Sequence, residues 1–148
     1  MDGKLIFRFK EFYILETFQV AFYKAQVDSA TDEYYRKAFD KMVQIEQGHA
    51  DYFANIIEQT GEIVPENAGS IFKIAGHLVG ETIESVGQHN TCKLGVALEN
   101  KAMDKYRTFI TESREKNYTI IRNTLMEYLL DEEFHTLWLR DYMNKHPH

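Results

Sequence analysis

One cysteine, two prolines and no long apolar run are the clearest shortages in this chain. A lone Cys92 excludes an internal disulfide and any cysteine-cluster metal site, and a reducing interior is the simplest setting for it. No stretch approaches the roughly 18 apolar residues of a membrane span. The opening Met1-Asp2-Gly3-Lys4 leads into a segment broken by Arg8, Lys10, Glu11 and Glu16, which is not the pattern of a secretory signal. A cytoplasmic location is expected on these grounds. Excess positive charge is also missing: the formal net charge is -6, whereas nucleic acid and anionic membrane both favour basic surfaces. Nucleic acid is therefore not expected as a partner. What remains is 148 residues, 44% hydrophobic and 27% charged, the length and balance of a single domain with one sizeable core. One domain over residues 1–148 is expected.

Four long segments carry helical periodicity. The first, about Lys4 to Val27, has Phe9, Phe12, Tyr13, Glu16, Val20, Tyr23 and Val27 at the three-and-four spacing of a buried stripe. Asp28-Ser29-Ala30-Thr31 supplies turn and cap chemistry, with Asp32 and Glu33 suited to the first turn of the next helix. The second segment, about Asp32 to Thr60, has Phe39, Met42, Val43, Glu46, His49, Phe53, Ile56 and Ile57 as its stripe, and Gly61 is a natural stop. A third, about Thr91 to Ser113 with Asn90-Thr91 as its cap, carries Cys92, Gly95, Val96, Glu99, Met103, Tyr106, Phe109 and Ile110. After a charged turn at Arg114 to Asn117, the fourth runs to about Lys145 with Leu125, Tyr128, Leu129, Glu132, His135, Thr136, Leu139, Tyr142 and Met143. Between the second and third, Ile71 to Val86 reads as a short crossover helix with Ile71, Ile74, Ala75, Leu78, Val79 and Ile83 on one side.

In each stripe a glutamate interrupts the apolar face. Two of these begin Glu-x-x-His, at Glu46-Gln47-Gly48-His49 and Glu132-Glu133-Phe134-His135, where a spacing of three puts both side chains on one helix face. One glutamate from each of two helices and a Glu-x-x-His from each of the other two is the ligand pattern of dinuclear carboxylate sites in four-helix bundles. Register is an independent constraint. Glu16 and Glu46 lie equally far from Thr31 in the first turn, and Glu99 and Glu132 lie equally far from the Glu115–Lys116 bond in the last. Each antiparallel hairpin therefore brings its glutamates level; at about 1.5 Å per residue, a slip of four positions would part them by a full turn.

Four carboxylates facing an interior would each cost several kcal/mol to desolvate unless paired or metal-bound. Two divalent ions balance them, with two neutral imidazoles completing the set. The metal ligands expected are Glu16, Glu46, His49, Glu99, Glu132 and His135. Two iron ions are the expected cofactor, manganese and zinc being the other metals such a thiolate-free set accommodates. Around them, Asp131 is placed to accept a hydrogen bond from a ligand histidine, an ordinary solvated aspartate being the competing reading. Tyr23 and Tyr106, each seven residues after a ligand glutamate, either orient ligands or carry an electron, or are core tyrosines with satisfied hydroxyls. Cys92 reads as a small buried hydrophobe. His77, His89, His146 and His148 match no ligand spacing and read as surface residues.

With those residues in view, the chain resembles the ferritin-like di-iron superfamily. Within it the chain is most similar to the demethoxyubiquinone hydroxylase family, with rubrerythrins as the nearest competitor. The likeness is carried by Glu16 followed by Tyr23-Lys24-Ala25-Gln26, by Glu46-Gln47-Gly48-His49, by Gly76, Gly80 and Gly87, by Glu99 followed by Tyr106, and by Asp131-Glu132-x-x-His135. It implies an all-α, ferritin-like four-helix bundle built from two antiparallel hairpins. It implies an enzyme, a non-haem di-iron oxidoreductase that activates oxygen at a carboxylate-bridged site, supplied by an external electron donor. Hydroxylation of a quinone or other small organic substrate, with peripheral membrane association, belongs to that picture; here the crossover carries Lys73, His77, Glu81 and Glu84 where the family's is strongly apolar. The competing resemblance implies a peroxide reductase or ferroxidase, although rubrerythrins place a further glutamate where this chain has Ala102. A homodimer is expected from the same likeness. A metal-free helical interaction module is the reading from outside this class.

Overall fold

The computed structural model describes residues 2–65, 87–114 and 118–147, all-α in four long helices. These are α1 (Gly3–Ser29), α2 (Glu33–Gln59), α3 (Gln88–Glu112) and α4 (Thr119–Lys145). The expected crossover helix over Ile71 to Val86, with Gly76, Gly80 and His77, lies outside the described residues, as does His148. The chain divides into two compact units, Met1–Ser85 and Val86–His148, each of which contains one helical hairpin. No helix among the described residues is long and apolar enough to cross a membrane.

In the first unit, α1 starts on Asp2, whose carboxylate accepts from the Lys4 backbone N–H at 2.7 Å. The turn into α2 is short because Asp32 caps immediately, accepting from the Tyr34 N–H at 3.2 Å. Asp32 is thus the cap itself and Glu33 the first helical residue. The hairpin is antiparallel, and contacts along it run level by level. Phe9 and Phe12 pack on Phe53 with ring centroids 5.9 and 5.1 Å apart, Tyr23 packs on Phe39 at 5.4 Å, and Tyr35 donates its hydroxyl to Gln26 Oε1 at 3.1 Å. Such ring pairs contribute about 0.5–1.5 kcal/mol each beyond the area they bury.

The buried face of α1 is rotated from the apolar stripe of the sequence. Val20, Val27 and Tyr13 are only half-buried, whereas Gln19 and Gln26 are fully enclosed. Counting apolar residues alone misses the two glutamines, which lie on the other side of the Glu16 line from Val20. Gly61 ends α2 as expected, with φ +81° and its N–H bonded to the Glu58 carbonyl at 3.0 Å.

In the second unit, α3 begins three residues earlier than Asn90-Thr91 suggests. The chain enters through Gly87 at φ +103°, a conformation that favours glycine, and no side-chain cap bond is made. Thr91 instead is buried, its hydroxyl donating to the Gly87 carbonyl at 3.1 Å. At the other end Arg122 Nη1 donates to the Ser113 and Arg114 carbonyls at 2.6 and 2.9 Å, closing the C-terminus of α3 from the start of α4. The remote end is joined by Tyr142, whose hydroxyl donates to Gln88 Oε1 at 2.6 Å. His89 is half-buried rather than a plain surface residue: its Nδ1 lies 3.0 Å from the His146 carbonyl and 3.3 Å from that of Met143. His146 is exposed and stacks on Tyr142 at 4.0 Å.

A Cβ added at Gly61 meets nothing within 4 Å, so Gly61→Ala tests backbone strain alone. A loss of about 1 kcal/mol with an unchanged urea m value is expected. An unchanged midpoint would show that α2 can end without the left-handed residue.

Candidate metal centre

Each hairpin carries the same polar layer. In the first, Glu16 from α1 meets Glu46 and His49 from α2. His49 Nδ1 lies 3.4 Å from Glu46 Oε2 and 3.6 Å from Glu16 Oε2. In the second, Glu99 from α3 meets Glu132 and His135 from α4, with His135 Nδ1 3.3 Å from Glu99 Oε1 and 4.0 Å from Glu132 Oε2. The predicted register therefore holds in both hairpins.

All four glutamates are 0% exposed, and His49 and His135 are 2% and 5% exposed. The layers are enclosed by apolar rings. Phe9, Phe12 and Phe53 lie on one side of the first layer, and Tyr23, Phe39 and Tyr35 lie on the other. In the second unit Tyr106 packs on Tyr128 at 6.4 Å on the turn side, while Cys92, Leu139 and Tyr142 are buried toward the far end.

The donor set fits a metal ion on geometry and on charge. Within Glu16, Glu46 and His49, one ligand atom from each lies within 4.8 Å of the others, and the same holds within Glu99, Glu132 and His135. Two ligands on one ion at about 2.1 Å stand roughly 3.0–3.4 Å apart at right or tetrahedral angles. Two of the four nitrogen-to-oxygen separations, 3.3 and 3.4 Å, fall in that range, and the others, 3.6 and 4.0 Å, lie above it. Two ionised carboxylates and one imidazole balance one divalent cation. Without it, burial of the two charges costs several kcal/mol.

Tyr23 and Tyr106, at 0% and 1% exposed, sit two turns from Glu16 and Glu99 on the same helices. Asp131 is half-buried beside Glu132. Cys92 is fully enclosed, and burial pushes its thiol up to about 12. The residue that apolar counting missed is Gln19, 0% exposed and three after Glu16. Its signal was present: Glu16-x-x-Gln19 repeats the spacing of the two Glu-x-x-His pairs. The matching position on α3 is Ala102, buried and without a donor.

No family model, curated protein or solved structure matches the chain.

Two outcomes are expected. Iron(II) or manganese(II) at a hundredfold its dissociation constant adds about 2.7 kcal/mol of stability, a rise of roughly 5–10 °C in melting temperature that chelation reverses. His49→Ala and His135→Ala should each diminish the rise; equal rises in both variants and the parent would remove the triads from metal binding. Native Cys92 should not react with a disulfide reagent at pH 8, four units below its titration, and denaturant should release one thiol per chain.

Proposed function

We propose that each triad holds an iron ion and that the protein is a non-haem oxidoreductase acting on oxygen or peroxide. The observation that supports this most directly is the repeated donor set: two carboxylates and one imidazole, buried and level, in each of two hairpins. Buried carboxylates need a paired cation or a bound metal to offset their desolvation. Two copies of the same three-residue constellation match the ligand pattern of dinuclear carboxylate sites in four-helix bundles, which supports this reading.

Bound iron supplies the electrons and the open coordination positions that reduction of oxygen or peroxide needs. The chain's own groups do the rest. His49 and His135 present Nδ1 toward their carboxylates, which fixes the ring orientation. The aromatic residues about Glu16 and Glu46 keep bulk water from the layer and strengthen every electrostatic interaction inside it. Asp131 is proposed as the acceptor that holds a ligand histidine in one tautomer. Tyr23 and Tyr106 are proposed to orient the ligand glutamates of their own helices or to relay an electron from an external donor. Hydroxylase-type chemistry on a small organic substrate is the preferred reaction, with rubrerythrin-like peroxide reduction or ferroxidase activity as the alternative. A homodimer belongs to the same reading; α4 exposes Met126, Leu130, Phe134 and Leu137 on one face.

Metal analysis of untagged protein, followed by anaerobic reduction and rapid mixing with oxygen or peroxide, tests the proposal. About two irons per chain and a transient near-ultraviolet band are expected. An organic product formed in proportion to oxygen consumed identifies a hydroxylase, and faster oxidation by peroxide without such a product identifies the alternative. Absence of bound metal with the helices intact would overturn the proposal in favour of a helical interaction module.

A further inference from the structure

Gln19 is fully buried, and neither its Oε1 nor its Nε2 has a hydrogen-bond partner among the described residues. Leaving a buried amide in that state costs roughly 1–3 kcal/mol per group. The same helix shows how the fold treats a structural glutamine: Gln26, also fully buried, accepts the Tyr35 hydroxyl at 3.1 Å. Leucine or methionine at position 19 would fill the same space without that cost.

Its position indicates what the amide is for. Gln19 follows Glu16 by the same three residues that separate His49 from Glu46, a spacing that sets two side chains on one helix face. Glu16 reaches His49 from that face of α1, and Tyr23, one turn beyond Gln19, packs on Phe39. Along α1, Gln19 thus lies between Glu16 of the carboxylate layer and Tyr23 of the aromatic residues beyond it. It adds no charge there. An amide offers two N–H donors and one carbonyl acceptor, and the stronger of its bonds goes to an anion.

We infer that Gln19 is a ligand-binding residue: its amide N–H donates to a small anion held at the metal centre beside Glu16. The inference rests on the metal-centre reading proposed above. A short anion rich in oxygen or nitrogen is the fitting class, since Glu16, Gln19, Glu46 and His49 are all enclosed at 0–2% exposure. Donation from Gln19 would favour an anion that carries its charge on the atom farther from the metal, and would discriminate against halides, which present no such atom.

Azide titration of the iron-loaded full chain, followed by its absorption on binding iron, is the test, with Gln19→Leu and Gln19→Met as paired variants. Both variants should retain two irons per chain and bind azide about tenfold more weakly, while chloride affinity stays the same. In the metal-free state both should melt a few degrees higher than the parent, because the buried amide is gone. Unchanged azide affinity with metal loading intact would overturn the inference. Loss of iron in both variants would make Gln19 a metal ligand instead, and a lower metal-free melting temperature in both would make it a structural amide; either result overturns the anion role. Failure of the parent protein itself to bind iron is read before any variant is made, and would refute the metal-centre reading and this inference with it.

Discussion

Burying carboxylates on helix faces that are otherwise apolar is the constraint on which the rest of this structure depends. Each hairpin must keep two glutamates and a histidine level, at 0–5% exposure, within a few ångströms of one another. That is unfavourable for a chain folding alone. It is sustained by aromatic packing close by, with Phe9, Phe12 and Phe53 on one side of the first layer and Tyr23, Tyr35 and Phe39 on the other. The apolar contacts hold the register, and the register holds the acids together.

The hairpin ends serve the same requirement. Asp32 caps α2 at once, so the turn after α1 is too short to let the helices slide. Arg122 and Tyr142 tie the two ends of the second hairpin, one through the carbonyls at the end of α3 and the other through Gln88. A shift of one turn in either hairpin would move a glutamate about 5.4 Å from its histidine. Local capping bonds, individually worth about 1 kcal/mol, thereby decide whether three donor atoms share a point.

The layer also explains why unusual residues cluster near it. A site that excludes water gives strong interactions to any group placed inside, and exacts a penalty for any polar group left unmatched. Gln26 is matched by Tyr35, Thr136 by the Glu132 carbonyl at 2.9 Å, and Gln19 by nothing in the described polypeptide. The proposed reaction and the proposed anion contact both follow from that one property of the environment. Burial acts on Cys92 in the same sense, pushing its thiol up to about 12 and so opposing thiolate formation.

Helical periodicity, the interrupting glutamates and the distance of each from its turn are local facts, so the sequence by itself determined the all-α class, the positions of α1 to α4 within a few residues, and the level of Glu16 with Glu46 and of Glu99 with Glu132. Those properties depend only on the 3.6-residue repeat and the 1.5 Å rise. Which flank of each stripe is enclosed depends on where neighbouring side chains stand, and periodicity is silent about that. Only the tertiary structure decided that Gln19 and Gln26 are buried while Val20 and Val27 are half-exposed, because a helix turned by half a residue spacing presents an equally regular stripe. The start of α3 was hidden for a related reason. Asn90 and Thr91 have the chemistry of caps, but the backbone enters through Gly87 at positive φ, and the choice rests on the path of the incoming chain. His89, half-buried against carbonyls at the end of α4, was equally invisible, since its partners lie more than fifty residues away in sequence.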